Sequence, residues 1–193
     1  GTSSHGDSGS ISVCTGDATN GKSGDILVSV GVGNTSNGGT ITVTAGTTTD
    51  ASSGGTIVVV SGTSTTTSSG DIDVATPDAG ANGVSGAIRF TSGTSSAGNT
   101  GTITLRSDVA TNGHGGNVEL TVGTGNTLNG GDVVFTAGKT TDGSSTVGGG
   151  RLLLTAGAAT ATDSGDGGSI QWTGGEGSTV GGSMWLTGGA SMA

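Results

Sequence analysis

The ionisable side chains that could support catalysis or metal binding are few in this chain and widely spaced. Its 193 residues include 14 acidic and 5 basic side chains, with two histidines and one cysteine. His5 and His114 lie many repeats apart, so we expect solvated turn histidines rather than a shared metal site or a Ser-His-Asp arrangement. Cys14 has no internal disulfide partner, and a free thiol is expected. The sequence therefore predicts a protein that is not an enzyme, with no catalytic residue, cofactor or metal.

Aspartates in a glycine-rich repeat make calcium the main alternative chemistry. The known calcium-binding pattern needs an Asp in each successive turn of the chain. Asp25, Asp71 and Asp132 occupy equivalent positions, but the repeats between them lack the acid. We therefore do not predict specific calcium binding. A polysaccharide-cleaving enzyme is also disfavoured, because sugar-stacking aromatics and an acid/base cluster are missing from the sequence.

The net charge of −9 and the isoelectric point near 4.1 limit the partners that the chain can have. Nucleic-acid backbones and anionic membrane surfaces are bound by clustered Lys and Arg, which this sequence does not have. No apolar run approaches the roughly 20 residues of a membrane span. We predict neither nucleic acid nor a membrane as a partner.

Outward side chains, most of them hydroxyl-bearing, form pairs one residue apart that recur along the sequence, such as Thr47/Thr49, Val109/Thr111 and Lys139/Thr141. Alternate side chains of a strand point to the same side, so both members of a pair are expected to face solvent together. Threonine is β-branched and has few rotamers, which keeps its methyl and hydroxyl groups in fixed positions. The predicted face consists of Thr47, Thr49, Thr63, Thr65, Thr94, Ser96, Thr111, Thr124, Asn126 and Thr141.

Pairs of large apolar residues, again one residue apart, organise the whole chain. First members follow each other at 15 or 16 residues over most of the sequence, and then at 19, 18 and 14 near the C-terminus. The pairs are Ile11/Val13, Ile26/Val28, Ile41/Val43, Ile57/Val59, Ile72/Val74, Ile88/Phe90, Ile103/Leu105, Val118/Leu120, Val133/Phe135, Leu152/Leu154, Ile170/Trp172 and Met184/Leu186.

A short, fixed period of alternating apolar residues is typical of a stacked β-solenoid. We predict an all-β fold, a single thin β-solenoid of about 12 coils with 15–16 residues per coil, in which the apolar pairs face inward. Two buried aliphatic side chains per coil would contribute about 3–6 kcal/mol before chain entropy, so a coil would not fold alone.

Residues 1–193 are predicted to form one solenoid domain with irregular features near its C-terminus. Longer loops are expected at 139–150 and 158–168, where the repeat lengthens. Residues 170–193 hold both tryptophans, Trp172 and Trp185, and are expected to cap the domain, although a partner-binding end is the alternative.

Small residues and glycines are predicted to shape each coil. The third inward position is small, as at Ala45, and so is the inward position of the second segment, as at Ser64. The glycine that follows the third position, as at Gly46, is expected to turn a corner with a positive φ. Asn82-Gly83 and Asn112-Gly113 predict tight turns.

The repeat that runs from Ser85 to Thr94, Ser-Gly-Ala-Ile-Arg-Phe-Thr-Ser-Gly-Thr, resembles Gly/Ser/Thr-rich extracellular repeat proteins of algae and marine microbes. The Thr-x-Thr pairs resemble those of insect and microbial ice-binding (antifreeze) solenoids. The resemblance implies a flat threonine-rich face that orders water and adsorbs to ice, with ice or ordered water as the partner. It also implies an extracellular or cell-surface location. The alternative is a structural or adhesive filament or surface repeat module that self-associates, end to end or along the rod.

Overall fold

The computed structural model describes residues 1–142, 148–160 and 165–189. The chain divides into two units, Gly1–Phe90 and Thr91–Ala193. The predicted longer loops at 139–150 and 158–168 and the predicted cap at 170–193 each include residues outside those ranges, so they stay predictions. Both units repeat one device, in which a loop of the chain is closed at a glycine.

None of the described residues belongs to an α-helix or a β-strand. The prediction of an all-β fold, a thin β-solenoid of about 12 coils, is therefore wrong. A solenoid requires the N–H and C=O groups of one repeat to pair with those of the next repeat in a ladder. Across the described ranges, the backbone hydrogen bonds instead join two points of the same loop.

In the first unit, the chain bends once per repeat, and hydrogen bonds close four of these bends into loops. The bends lie at residues 4–6, 19–21, 34–37, 49–52, 65–67 and 81–82. Two of these loops are closed by backbone hydrogen bonds of 2.9 Å, from the Gly55 amide to the Gly46 carbonyl and from the Gly70 amide to the Gly62 carbonyl. Each of these bonds joins the glycine after the third inward position to a glycine just before the next apolar pair.

Threonine hydroxyls close two further loops of the first unit. Thr15 Oγ1 donates to the Gly24 carbonyl at 3.2 Å, and Thr76 Oγ1 donates to the Gly86 carbonyl at 3.3 Å. A Cβ atom placed on Gly24 would lie 3.3 Å from Thr15 Cγ2, and one on Gly86 would lie 3.1 Å from Thr76 Cγ2. A side chain at either glycine would push the hydroxyl-bearing residue away, so close approach is the reason for glycine at these positions.

The second unit repeats the device with bends at residues 96–98, 111–113, 126–129 and 178–180. At the loop around residues 126–129, a Cβ atom on Gly131 would lie only 2.8 Å from Val122 Cγ1. The last three loops are closed by backbone hydrogen bonds. These run from Gly150 to Gly138 at 2.7 Å, from Gly168 to Gly157 at 2.9 Å and from Gly182 to Gly175 at 2.8 Å, with the amide of the first residue named as the donor.

The predicted role of the corner glycines is also wrong. Gly46 and its equivalents do not adopt a positive φ. The carbonyls of Gly46, Gly62, Gly138 and Gly157 accept closing hydrogen bonds instead. The left-handed region is occupied within the bends by the non-glycine residues Asn20, Ser36, Asn112 and Leu128, at φ values of 60 to 66°. The turns predicted at Asn82-Gly83 and Asn112-Gly113 are confirmed, the first by a 3.1 Å hydrogen bond from the Gly83 amide to the Gly80 carbonyl.

The described residues contain no buried side chain, so the predicted core of apolar pairs is absent. Ile57 is 52% exposed and Val59 is 71% exposed, where both were expected to face inward. The accessible surface of the chain is 19231 Å². A compact monomer of this mass would expose roughly 8,000 Å². The apolar pairs are therefore in contact with water in the single chain.

The predicted alternation of sides nevertheless persists in graded form. Ile57, at 52%, is less exposed than its neighbour Val58, at 75%, and Val133, at 47%, is less exposed than Val134, at 77%. The half-buried residues of the described ranges all occupy predicted inward positions, and they are Ala45, Ser61, Ser64, Thr76 and Ala156. The pattern thus identifies which side of the chain is less exposed, although no second layer covers that side.

The glycine content explains why the apolar pattern does not produce paired strands. Glycine accounts for 44 of the 193 residues. Each one costs about 0.5–1 kcal/mol relative to alanine when it is fixed inside a strand. Two aliphatic side chains per repeat do not offset that entropy for a whole coil. Closing a short loop fixes fewer residues, and it occupies the glycine amide at the start of the next apolar segment.

Candidate functional site

The predicted ice-binding residues are all exposed, and nine of the ten lie in a bend or two residues before one. Thr47, Thr49, Thr63 and Thr65 belong to the first unit, and the other six belong to the second unit. The second member of a pair is the first residue of a bend in five loops. Those residues are Thr49, Thr65, Ser96, Thr111 and Asn126.

The residue between the members of a threonine pair turns back onto its own loop. Ser64, between Thr63 and Thr65, accepts hydrogen bonds from the amides of Thr66 at 3.3 Å and Thr67 at 2.9 Å. Its hydroxyl also bonds the hydroxyl of Thr67 at 3.0 Å. The central hydroxyl therefore anchors the loop, and the flanking hydroxyls are left to water.

Two further loops use the same hydroxyl-to-backbone bond. Thr48 Oγ1 accepts from the amide of Asp50 at 3.2 Å, and Thr140 Oγ1 accepts from the amide of Asp142 at 3.2 Å. Local bonds of this kind compete with strand pairing and favour turns. The structure thus orders threonine pairs one loop at a time. Since these residues lie in no strand, the sheet that was expected to align the pairs into one flat face is not formed.

A different arrangement brings apolar residues of successive repeats together near the end of the second unit. Trp172, Met184, Trp185 and Leu186 line an open cleft of about 380 Å³. These residues come from two neighbouring apolar pairs and from Trp185, which lies between the members of the second pair. The cleft walls are almost entirely apolar. In the single chain, this hydrocarbon surface is exposed to solvent, which is unfavourable.

A second apolar cleft, of about 330 Å³, adjoins the first through a shared residue. It is lined by Phe135, Leu152, Leu154 and Trp172. Pair residues of four successive repeats therefore line two clefts that share Trp172, and we call the two together the tryptophan cleft. Sequence reasoning singled out the tryptophans but missed Phe135 and the leucines. The larger size of the pair residues from Phe135 onward is the sequence feature that could have identified these cleft residues.

The ionisable side chains of the described residues are exposed, and two ion pairs join some of them at the surface. Lys22 Nζ lies 2.9 Å from Asp25 Oδ1, and Arg106 lies 3.7 Å from Asp108, with all four side chains largely in water. His5 and His114 are both exposed, as predicted for turn histidines, and Cys14 is an exposed free thiol. Among the described residues, no three His, Cys, Asp or Glu side chains are grouped as a metal site would require.

No family model, curated protein or solved structure matches this chain. In the ranges that the structure describes, no helix has the length and apolar character needed to cross a membrane.

Proposed function

We propose that this protein is a structural repeat module that assembles with further copies of itself by covering its apolar pairs. The observation that supports the proposal is the exposure of those pairs, which recur every 15 or 16 residues over most of the sequence and remain in water in the single chain. Monomeric soluble proteins rarely leave large apolar surfaces uncovered unless the surfaces are used for contact.

The free energy available for such assembly is distributed over the repeats. Covering one Ile or Val side chain fully is worth roughly 1.5–3 kcal/mol. The pair residues are already partly covered by their own chain, so each contributes a fraction of that value. Once one pair of repeats is in contact, the following contacts form within the same complex, which raises the overall affinity without new chemistry.

The spacing of the pairs favours a second copy as the partner. Successive pairs are separated by 15 or 16 residues, and then by 19, 18 and 14. A copy of the same chain carries the same uneven series, so every pair can meet its equivalent in one register. The net charge of −9 on each copy opposes this assembly. Salt screens that repulsion, so added salt should strengthen self-association.

Sedimentation velocity over a concentration series tests this proposal. The Ile57→Ser plus Val59→Ser variant removes one apolar pair, and Val58→Ser plus Val60→Ser is the matched control on the other side of the same segment. We expect wild type to associate more strongly as concentration and salt rise. The first variant should weaken association and the control should not. A wild-type chain that stays monomeric throughout, or equal effects of the two variants, would contradict the proposal.

We propose ice adsorption as the second candidate function, because one observation favours it separately. In the loops of Thr48 and Ser64, the central hydroxyl is bound to the loop backbone while the flanking threonines stay exposed. A pre-ordered pair of hydroxyl and methyl groups binds ordered water at a lower entropic cost than a mobile pair. The resemblance of the Thr-x-Thr pairs to those of ice-binding proteins supports the same role.

Thermal hysteresis and ice shaping test the second candidate. The Thr63→Tyr plus Thr111→Tyr variant changes two exposed residues of the predicted face, one just before a bend and one in a bend. The Thr136→Tyr plus Thr155→Tyr variant makes the same change beside apolar pairs. Ice adsorption predicts activity in wild type and in the control variant, with a loss in the first variant. Inactive wild-type protein, or equal activity in all three proteins, would count against it.

A further inference from the structure

We infer that the tryptophan cleft is the contact that starts assembly, and that its occupant is the same cleft of a second copy placed parallel and in register. This inference rests on the proposed function and assigns the site and the partner segment. Residues of four successive repeats line the cleft, from Phe135 to Leu186, and all of them lie in the second unit.

The exposed area of the cleft residues is large enough for a specific interface. Trp172 is 62% exposed, and Trp185 and Leu186 are 86% and 85% exposed. With ordinary side-chain areas, the lining residues expose on the order of 1,000 Å² per copy, which reaches the total that a biological interface needs. Large aromatic side chains also contribute more per residue to protein contacts than the Ile and Val pairs of the other repeats do.

The uneven spacing in this segment selects the partner and its direction. First members of the pairs follow at 19, 18 and 14 residues between Val133 and Met184. The reverse order of steps does not match this series, and neither do the steps of 15 and 16 found elsewhere in the chain. The equivalent segment of a second copy, running in the same direction, brings each pair opposite its equivalent.

Charge is compatible with this contact, because none of the residues that line the cleft is ionisable. Two identical segments in parallel would place any charges opposite like charges, which is unfavourable. The cleft avoids that cost at its lining. Charged residues of the same segment, such as Arg151 and Glu176, would lie opposite their equivalents and oppose the contact. Salt screens long-range repulsion between exposed charges, so the contact is expected to tighten as salt is added.

Tryptophan emission reports directly on this contact, because the chain has two tryptophans and both line the cleft. We expect the emission of the full chain to move to shorter wavelength as concentration rises, in parallel with association measured by sedimentation velocity. The Leu154→Ser plus Met184→Ser variant keeps both tryptophans and removes two cleft residues. It should weaken association about tenfold or more, the factor that corresponds to about 1.4 kcal/mol.

The matched control is Leu153→Ser, because Leu153 lies between two cleft residues in the chain but lines neither opening. It should leave both association and the emission shift unchanged. Association without an emission shift would overturn the cleft inference while leaving the proposed function intact. An emission shift that does not depend on concentration would also overturn it, since the cleft would then be covered by its own chain. Absence of association in wild type would overturn both.

Discussion

The regular repeats of the first unit and the last four repeats of the second unit use the same glycine closure but leave different side chains in water. The first unit carries Ile and Val pairs in its first five repeats and Ile88/Phe90 in the sixth, and its loops close through glycine or threonine. The last repeats carry leucine, phenylalanine, methionine and tryptophan, and their loops close through glycine backbones alone. Similar closures therefore leave separate exposed apolar pairs in the first unit and a shared apolar cleft in the last repeats.

This difference shows that the closure and the contact surface are set by different residues. The closing glycines accept large changes in loop length, from Gly62–Gly70 in the first unit to Gly138–Gly150 in the second. The size of the pair residues decides whether neighbouring repeats form a cleft. Substitutions of closing glycines should therefore alter loops locally, and substitutions of pair residues should alter assembly.

The largest effect on a closure is expected in the last loop of the second unit. A Cβ atom on Gly174 would overlap the carbonyl oxygen of Gly182, whose amide donates to Gly175. Backbone cannot yield cheaply, and overpacking of this kind costs about 1–3 kcal/mol. Gly174→Ala should therefore raise the amide exchange rate of Gly182 about tenfold or more.

Gly175→Ala is the control for that variant, because a Cβ atom on Gly175 would meet open space. Exchange at Gly182 should stay close to wild type. Equal exchange rates in the two variants would show that the loop is not closed at these glycines.

An intermediate effect is expected for the equivalent closure of the first unit. A Cβ atom on Gly55 would lie 3.0 Å from the Gly46 amide nitrogen and 3.3 Å from Ala45 Cβ, which is tight but short of overlap. Gly55→Ala should raise amide exchange at position 55 severalfold. Gly54→Ala makes an ordinary contact of 3.5 Å and should not change it. A larger effect in Gly54→Ala would reverse the proposed roles of the two glycines.

The smallest effect is expected where a hydroxyl closes the loop. Thr76→Val keeps the shape of the side chain and removes the donor to the Gly86 carbonyl. A single hydrogen bond of this kind contributes about 0.5–1.5 kcal/mol. The nuclear Overhauser effect between the methyl group of residue 76 and the Gly86 α-protons should weaken but persist. Complete loss of this nuclear Overhauser effect would show that the hydroxyl, and not the packing of the methyl group against Gly86, holds the loop closed.

Part of this architecture could be predicted from the sequence, because it depends on local chemistry. The repeat period, the turns at Asn82-Gly83 and Asn112-Gly113, and the small residues on the less exposed side all follow from residue type and spacing. Alternation also identified Ser64 as an inward residue. Each of these features is decided within one repeat.

The rest depends on which backbone groups pair, and a hydrophobic pattern does not encode that choice. Ile57 and Val59 alternate as strand residues do, but a strand exists only when a neighbouring segment supplies its hydrogen bonds. The nearby Gly55 amide bonds Gly46 within its own loop instead. The exposure of the threonine pairs could be predicted from alternation alone. Their alignment into one flat face could not, because it depends on the same strand pairing. The left-handed conformation of Leu128 had no signal in its residue type.

The apolar pairs are uncovered in the single chain, and we propose that a second copy covers them. Solvent paramagnetic relaxation of the Ile, Leu and Val methyl groups measures this directly in dilute and concentrated solutions of the full chain. We predict strong relaxation at Ile57, Val59 and Leu154 in dilute solution and protection of these methyls at high concentration, with Val58 and Val60 accessible throughout. Methyls of Ile57 and Val59 that are already protected in the dilute chain, or that remain accessible at every concentration, would contradict the account.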